Sequence, residues 1–191
     1  MASAIGSPAQ AGLTLFELLF TLFLLSLLLG IALPDFTKLI EHKRADNNVR
    51  TLVTAIELAR TSAIVDNSLV TLCRSQNGEE CGGDWKNGIL VFVDHDGDRD
   101  IDPEDRLVRF FTLPSLDGEL YWRAFQNRQY LQITPQGFTR YQNGNFTFCP
   151  ASGELQHARQ LILNRTGRVR LAGDSDGDGI AEDSRGRPIR C

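Results

Sequence analysis

Residues 12–34 read GLTLFELLFTLFLLSLLLGIALP. Between Leu13 and Leu33 the only ionisable side chain is that of Glu17, and most of the others are Leu or Phe. About 20 apolar residues are enough to cross a bilayer as a helix, so we expect residues 13–34 to form a transmembrane segment. A carboxylate inside such a segment is costly unless it has a partner, which makes Glu17 a candidate functional residue.

The residues around Gly12 form a recognisable box. A Gly followed by a hydrophobic residue, Thr, two hydrophobic residues and Glu resembles the prepilin peptidase site of type IV pilins and pseudopilins. The resemblance implies that residues 1–12 are a leader that is cut off after Gly12, and that Leu13 becomes the N-methylated mature N-terminus. It also implies that Glu17 pairs with the terminal amine of a neighbouring subunit during assembly.

The same resemblance implies a location and partners. The chain would cross the bacterial inner membrane once with its globular domain in the periplasm, and would later lie at the filament tip or cell surface. Its partners would be prepilin peptidase, the inner membrane and other pilin or pseudopilin subunits.

Two other interpretations of this segment are a cleaved secretory signal peptide and a plain membrane anchor. A signal peptide has a basic start, a shorter apolar region and a cleavage site of small residues, which residues 31–34 match poorly. A plain anchor leaves Glu17 and the Gly12 box unexplained. The pilin-type interpretation is therefore favoured.

Beyond Pro34 the apolar residues recur at helical spacing up to about Ile64, with charged residues between them. We therefore expect one helix from about Leu13 to Ile64, whose second half, residues 35–66, is amphipathic. Past Asn67 the hydrophobic period changes to two, and turn clusters separate short runs. The predicted strands are Leu69–Cys73, Ile89–Val93, Leu107–Thr112, Glu119–Ala124, Tyr130–Thr134, Asn145–Phe148, Leu161–Asn164 and Arg168–Leu171.

This order of elements predicts an α+β fold. No second helical repeat separates the strands, so the sheets should be antiparallel, and residues 67–191 should form one β-rich domain on which the helix packs. The long helix and the domain together match the lollipop shape that the pilin resemblance implies. Core packing is predicted for the aromatic residues at strand spacing, which are Phe110, Phe111, Tyr121, Trp122, Phe146 and Phe148.

The chain has 191 residues, a formal net charge of −4 and four cysteines. This charge gives no overall case for nucleic-acid binding. Outside the cytoplasm four cysteines fit two disulfides, and the absence of C-x-x-C spacing argues against a zinc site. Cys73, Cys81, Cys149 and Cys191 allow three pairings. Closeness in sequence favours Cys73–Cys81, which leaves Cys149–Cys191.

Features of the β-rich half resemble the GspH/FimT family of minor pseudopilins and minor pilins. They are the loop from Cys73 to Cys81, Trp85 followed by GILVFVD at residues 88–94, an acidic turn before Leu107, FCP at residues 148–150 and GRVR at residues 167–170. The resemblance implies a structural subunit placed at or near the tip of a filament. That filament is a type IV pilus or the pseudopilus of a type II secretion system.

Acidic residues alternate along two loops. Positions 1, 3, 5, 7, 9 and 12 of an EF-hand-like loop are occupied by Asp94, Asp96, Asp98, Asp100, Asp102 and Asp105. Alternate carboxylates suit calcium, although Arg99 replaces the usual Gly at position 6 and Asp105 the usual Glu at position 12. Asp174, Asp176 and Asp178 repeat the opening of this pattern, with Arg185 at position 12. The alternative is an acidic turn that uses Asp and Gly for backbone reasons. The calcium prediction has Asp94, Asp96, Asp98, Asp100 and Asp105 as its ligands.

Two arginines near the C-terminus are candidate DNA-binding residues. Arg168 and Arg170 lie two apart on a predicted strand and should project from the same face, where they can contact successive phosphates. Some minor pilins of the resembled family bind DNA in natural transformation and carry a Gly-Arg-x-Arg motif. The alternative is that these arginines are solvated or pair with nearby aspartates.

No catalytic constellation is present in the sequence. The three histidines, His42, His95 and His157, match no zinc-protease motif, and neither a serine-hydrolase motif nor a phosphate-binding glycine loop occurs. The sequence predicts a structural assembly protein, a minor pilin or pseudopilin, which is not an enzyme. Apart from the calcium predicted at the first acidic loop, we expect no cofactor. The alternative function is DNA binding for natural transformation.

Overall fold

The computed structural model describes residues 14–113 and 117–191, and of residues 31–38 and Glu41 it describes the backbone alone. Helix α1 spans Leu15–Val65 and continues through Pro34. The strands in the described residues are β1 Val70–Arg74, β2 Ile89–Val93, β3 Arg106–Phe111, β4 Gly118–Ala124, β5 Tyr130–Ile133, β6 Gly144–Pro150, β7 Arg159–Leu163 and β8 Val169–Leu171. Each overlaps one predicted strand, because the hydrophobic alternation that marks a half-buried strand is a local property of the sequence.

The chain divides into two compact units, Met1–Ile40 and Glu41–Cys191. In the first unit, every described side chain from Leu15 to Gly30 is exposed, and most of them are Leu or Phe. No helix in the described part of the chain is both long enough and apolar enough to cross a membrane. The transmembrane segment expected at residues 13–34 includes Leu13 and the side chains of residues 31–34, which lie outside the described residues.

In the second unit the strands form two four-stranded sheets. Sheet A has the order β3-β2-β1-β5, and sheet B has the order β4-β6-β7-β8. All strand pairs are antiparallel, as expected for a β-rich half without crossover helices. The fold is therefore α+β with antiparallel sheets.

One face of α1 joins both sheets in a single core. Leu52, Ile56, Ala59 and Ala63 recur at helical spacing and are all buried. They belong to one cluster with inward side chains of sheet A and of sheet B, among them Leu72, Val91, Leu131, Trp122, Phe146 and Leu161. The small alanines let the helix backbone approach the sheets, so residues 45–63 of α1 are held by burial rather than by helix propensity.

The aromatic core centres on Phe146. The ring of Trp122 stacks on it with centroids 4.3 Å apart, and the ring of Trp85 meets it edge-on at 5.0 Å. Phe111, Trp122, Phe146 and Phe148 are buried, as predicted. The prediction was wrong for Tyr121, which is 42% exposed because it alternates with Trp122 on β4 and therefore faces the other side of the sheet. Phe110 is half-buried.

Two disulfides fasten chain segments to the sheets. Cys73 on β1 is joined to Cys81, and Cys149 on β6 is joined to Cys191. This is the pairing that closeness in sequence favours. Residues 158–189 supply a further small core of Ala158, Ala172, Ala181 and Ile189, packed with Ile162 of β7. The C-terminal segment is therefore folded onto sheet B.

Candidate functional site

Helix α1 begins directly after the described residue Thr14. The backbone N–H of Glu17 donates to Thr14 Oγ1 at 3.2 Å, so the hydroxyl satisfies one of the free amide groups of the first turn. Glu17 lies in that turn, where a negative charge interacts favourably with the helix dipole, and its side chain is exposed. The predicted cleavage residues Gly12 and Leu13, like the leader at residues 1–12, lie outside the described residues.

The first acidic loop follows β2. The structure brings carboxylate oxygens of Asp94, Asp96 and Asp98 within 4.8 Å of one another, and it does not bring Asp100 or Asp105 into that group. These three carboxylates accept backbone N–H groups of the loop itself, from Gly97 at 2.7 Å, from Asp98 at 3.1 Å and from Asp100 at 2.9 Å. The bonds account for the alternating aspartates as turn-forming residues, and calcium binding stays a prediction.

Asp94 also ties this loop to sheet A. Its carboxylate is fully buried, and Oδ2 accepts hydrogen bonds from Thr71 Oγ1 at 2.5 Å and from Gln132 Nε2 at 3.1 Å. Thr71 and Gln132 are paired residues on β1 and β5, so one carboxylate links the loop to two strands. A buried charge needs such partners, and the sequence pattern did not reveal them because they are 23 and 38 residues away.

Arg99 shows how the loop turns without glycine at position 6. Its φ is +80°, in the left-handed region that glycine ordinarily occupies. Its guanidinium lies 5.3 Å from the centroid of the Tyr130 ring, a cation–π contact that holds the side chain against sheet A. The backbone at this position therefore adopts the turn of a Gly-containing loop despite the substitution.

The second acidic loop contains a carboxylate that the sequence pattern missed. Asp174, Asp176, Asp178 and Glu182 place carboxylate oxygens within 4.8 Å of one another. When Asp174 is counted as position 1 of the EF-hand-like pattern, Glu182 is at position 9, which is a ligand position. This spacing could have identified Glu182 from the sequence. Its side chain is buried, and Oε2 accepts bonds from the N–H and the hydroxyl of Ser175, both at 2.7 Å. The backbone N–H groups of Gly177 and Gly179 donate to Asp174 and hold the pKa of its carboxyl below 3.8.

The two candidate DNA-binding arginines are exposed. Arg170 lies on β8 and Arg168 directly precedes it, and neither forms an ion pair with any described residue. Gly167, the glycine of the same motif, has φ of +74°, and a Cβ there would lie 2.5 Å from the carbonyl oxygen of Gly137. That glycine is therefore required by the turn between β7 and β8, whatever the arginines bind.

Comparison of the fold with solved structures indicates the class of protein. The fold is similar to the crystal structure of the type IV minor pilin FimU of Pseudomonas aeruginosa, with a TM-score of 0.51. The similarity covers 72% of this chain and 92% of that chain at 17% sequence identity. The fold is therefore pilin-like.

Sequence comparison then gives the family. The family described as Type II transport protein GspH matches residues 48–167. The chain belongs to this family, whose members are pilin-like structural subunits and not enzymes. The pilin-like protein PilA1 of Thermus thermophilus is 39% identical over 94 residues, which are 49% of this chain and 54% of that protein. The chain thus spans about half the length of this curated relative.

Proposed function

We propose that the chain is a minor pilin or pseudopilin, a structural subunit of a type IV pilus or of a type II secretion pseudopilus. On this proposal prepilin peptidase cuts after Gly12, Leu13 is N-methylated, and residues 13–34 hold the subunit in the bacterial inner membrane. The subunit then assembles with other pilin-like subunits at or near the filament tip. The observation that carries the proposal is the match of residues 48–167 to the GspH family.

The exposed start of α1 supports an assembly role. The side chains of Leu15 and Phe16 are 74% and 78% exposed, and the Leu and Phe residues that follow up to Leu29 are exposed as well. A continuous apolar surface of this kind is normally covered by a membrane or by another protein. Lipid and the equivalent helices of neighbouring subunits are the covers that the proposed function supplies.

Glu17 is the charged group within this apolar surface. No described residue forms an ion pair with its carboxylate. In hydrocarbon an unpaired carboxylate is costly, so a cation from outside the subunit would stabilise the assembled state. On the proposed function that cation is the terminal amine of the neighbouring subunit.

Incorporation into filaments in the native host tests the proposal. We expect Glu17→Ala to lower the fraction of the chain that is recovered in sheared or cross-linked filaments. Glu57→Ala is the matched control, because Glu57 is an exposed carboxylate on the same helix. Equal incorporation of the two variants, or absence of the unmodified chain from every filament fraction, would contradict the proposal.

DNA binding is the second candidate function. It is favoured by the exposure of Arg168 and Arg170 and by their lack of ion pairs with described carboxylates. A gel-shift titration of the full-length chain in detergent against double-stranded DNA at two salt concentrations tests it. Binding should fall steeply with salt and be largely lost in Arg168→Gln with Arg170→Gln. The control is Arg50→Gln with Arg128→Gln, which removes the same charge, and equal loss in both double variants would contradict a specific role.

A further inference from the structure

A cavity of about 300 Å³ lies on the outer face of sheet B. Its floor includes Asn145 on β6 and Gln160 on β7, whose neighbours Phe146 and Leu161 face the opposite way into the core. Arg123 on β4 borders it, and residues 183–190 of the C-terminal segment form the remaining wall. A volume of about 300 Å³ is at the small end of ligand pockets.

The wall is held in place by three separate contacts. Glu182 and Pro188 form an antiparallel bridge, which closes the turn between them. Ile189 is buried, and Cys191 is joined to Cys149 of β6. The segment that forms this wall is therefore fixed to the rest of the domain both before and after residues 183–190.

The cavity carries an excess of positive charge. Among the described residues that line it, four are arginines, Arg123, Arg185, Arg187 and Arg190, and one, Asp183, carries a carboxylate. Arg187 is engaged with Asp183 through Nε at 3.2 Å and Nη2 at 2.8 Å. The other three arginines form no ion pair with described residues. Guanidinium groups bind carboxylate or phosphate through paired hydrogen bonds, so this cavity favours an anion.

Gln160 and Thr147 fix the amide of Asn145 at the floor of the cavity. Its side-chain Nε2 donates to Thr147 Oγ1 at 3.0 Å, and the Thr147 hydroxyl donates in turn to Asn145 Oδ1 at 3.1 Å. This chain of bonds orients the amide and leaves Gln160 Oε1 buried without a partner among the described residues. Gln160 is 4% exposed, and a buried acceptor normally has a donor. With under 1 Å² of accessible surface, however, this atom lies beneath the floor of the cavity, and a ligand there meets Asn145 and the arginines instead.

We propose that this cavity binds a hydroxylated anion of monosaccharide size, a sugar acid or a sugar phosphate. Arg123, Arg185 and Arg190 hold the carboxylate or phosphate, and the side-chain amide of Asn145 donates a hydrogen bond to a sugar hydroxyl oxygen. Asn145 Oδ1 is occupied by Thr147 and Gln160, so its amide N–H groups are available to ligand oxygens. Binding at this cavity does not depend on incorporation of the chain into a filament.

Isothermal titration calorimetry of the full-length chain in detergent tests this with four probes. Glucuronate and glucose 6-phosphate carry both the anion and the hydroxyls, glucose lacks the anion, and inorganic phosphate lacks the sugar. We expect at least one of the first two to bind about tenfold more tightly than both glucose and inorganic phosphate, a difference of about 1.4 kcal/mol. Which of the two binds distinguishes a sugar acid from a sugar phosphate.

Single substitutions inside and outside the cavity show whether the ligand binds there. Arg123→Gln and Arg190→Gln should each weaken it about tenfold, while Arg170→Gln, an exposed arginine that does not line the cavity, should leave it unchanged. Asn145→Ala should weaken binding of the sugar anion without changing that of inorganic phosphate, which a purely structural role of Asn145 would not produce. If Asn145→Ala does not fold, the variants of the exposed residues Arg123 and Arg190 decide. Equal weakening by Arg170→Gln, equal affinity for inorganic phosphate, or no binding of either sugar anion would overturn the proposal.

Discussion

Arg159 on β7 and Asp46 on α1 form an ion pair that joins the helix to sheet B within the second unit, with Nε 3.1 Å from Oδ1. The Arg159 side chain is only 12% exposed, and it also donates to the carbonyl oxygens of Gln156 at 3.0 Å and Ala158 at 2.9 Å. The arginine thus holds the start of β7 and the helix in one arrangement.

This pair should contribute measurably to stability. We expect a double-mutant cycle of Asp46→Asn and Arg159→Met to give a coupling of about 1–2 kcal/mol, because a charged hydrogen bond is worth more when solvent is largely excluded. Urea unfolding followed by the fluorescence of the buried Trp85 and Trp122 measures it. The exposed pair Lys86 and Glu119 is the control and should give a smaller coupling. A coupling no larger than that of the control would contradict the expectation.

Asp183 should give the C-terminal segment a pH-dependent stability. Hydrogen bonds from the Arg187 side chain and from the N–H groups of Arg185 and Arg187 lower the pKa of the Asp183 carboxyl from 3.8 to about 2. Its stabilisation is therefore fully present above the unfolded pKa and is lost as the pH falls from 3.8 through about 2. Wild type should be more stable than Asp183→Asn at pH 6, and the two should converge near pH 2. A difference that persists unchanged down to pH 2 would contradict this assignment.

The two disulfides should differ in their contribution. Cys149 and Cys191 are 42 residues apart, whereas Cys73 and Cys81 are 8 apart. In the chain-entropy model a longer closed loop stabilises more, so Cys149→Ser with Cys191→Ser should cost about 2–4 kcal/mol and exceed Cys73→Ser with Cys81→Ser. Urea unfolding of the two double variants checks the order. Non-reducing peptide mapping that joins Cys73 to Cys149 would contradict the pairing itself.

Calcium at the first acidic loop is tested by thermal unfolding with and without millimolar calcium. Bound calcium should raise Tm, by an amount equivalent to about 2.7 kcal/mol at a hundredfold excess over Kd. Asp98→Asn keeps an oxygen acceptor for the N–H of Asp100, so it should leave calcium-free stability nearly unchanged and reduce the calcium effect. Asp84→Asn, an exposed aspartate outside the loop, is the control. No rise in wild type would make the calcium prediction wrong.

Much of this fold is predictable because it is encoded locally. A continuous apolar run bounded by turn residues identifies Ile89–Val93 to the residue, and the short spacing of Cys73 and Cys81 favours the pairing that the structure has. The core prediction for Tyr121 was wrong because it was made for Trp122 as well, and adjacent residues of one strand face opposite sides of the sheet.

The non-local contacts could not be predicted in this way. Asp46 and Arg159 are 113 residues apart, and their meeting depends on how α1 lies against sheet B. The partners of Asp94 likewise become visible only once β1 and β5 are known to be neighbours. The cavity beside Gln160 forms because the C-terminal segment folds back over β6 and β7. No short sequence motif predicts that path.

Mass spectrometry of the mature N-terminus, on chain purified from its native host, tests the filament-subunit assignment most directly. We expect residues 1–12 to be absent and N-methyl-Leu13 to be the first residue. Gly12→Ala should leave most of the chain unprocessed, and Gly30→Ala, a change at a glycine with open space around it, should be processed normally. A mature chain that retains Met1, or one that begins near Pro34, would contradict the assignment.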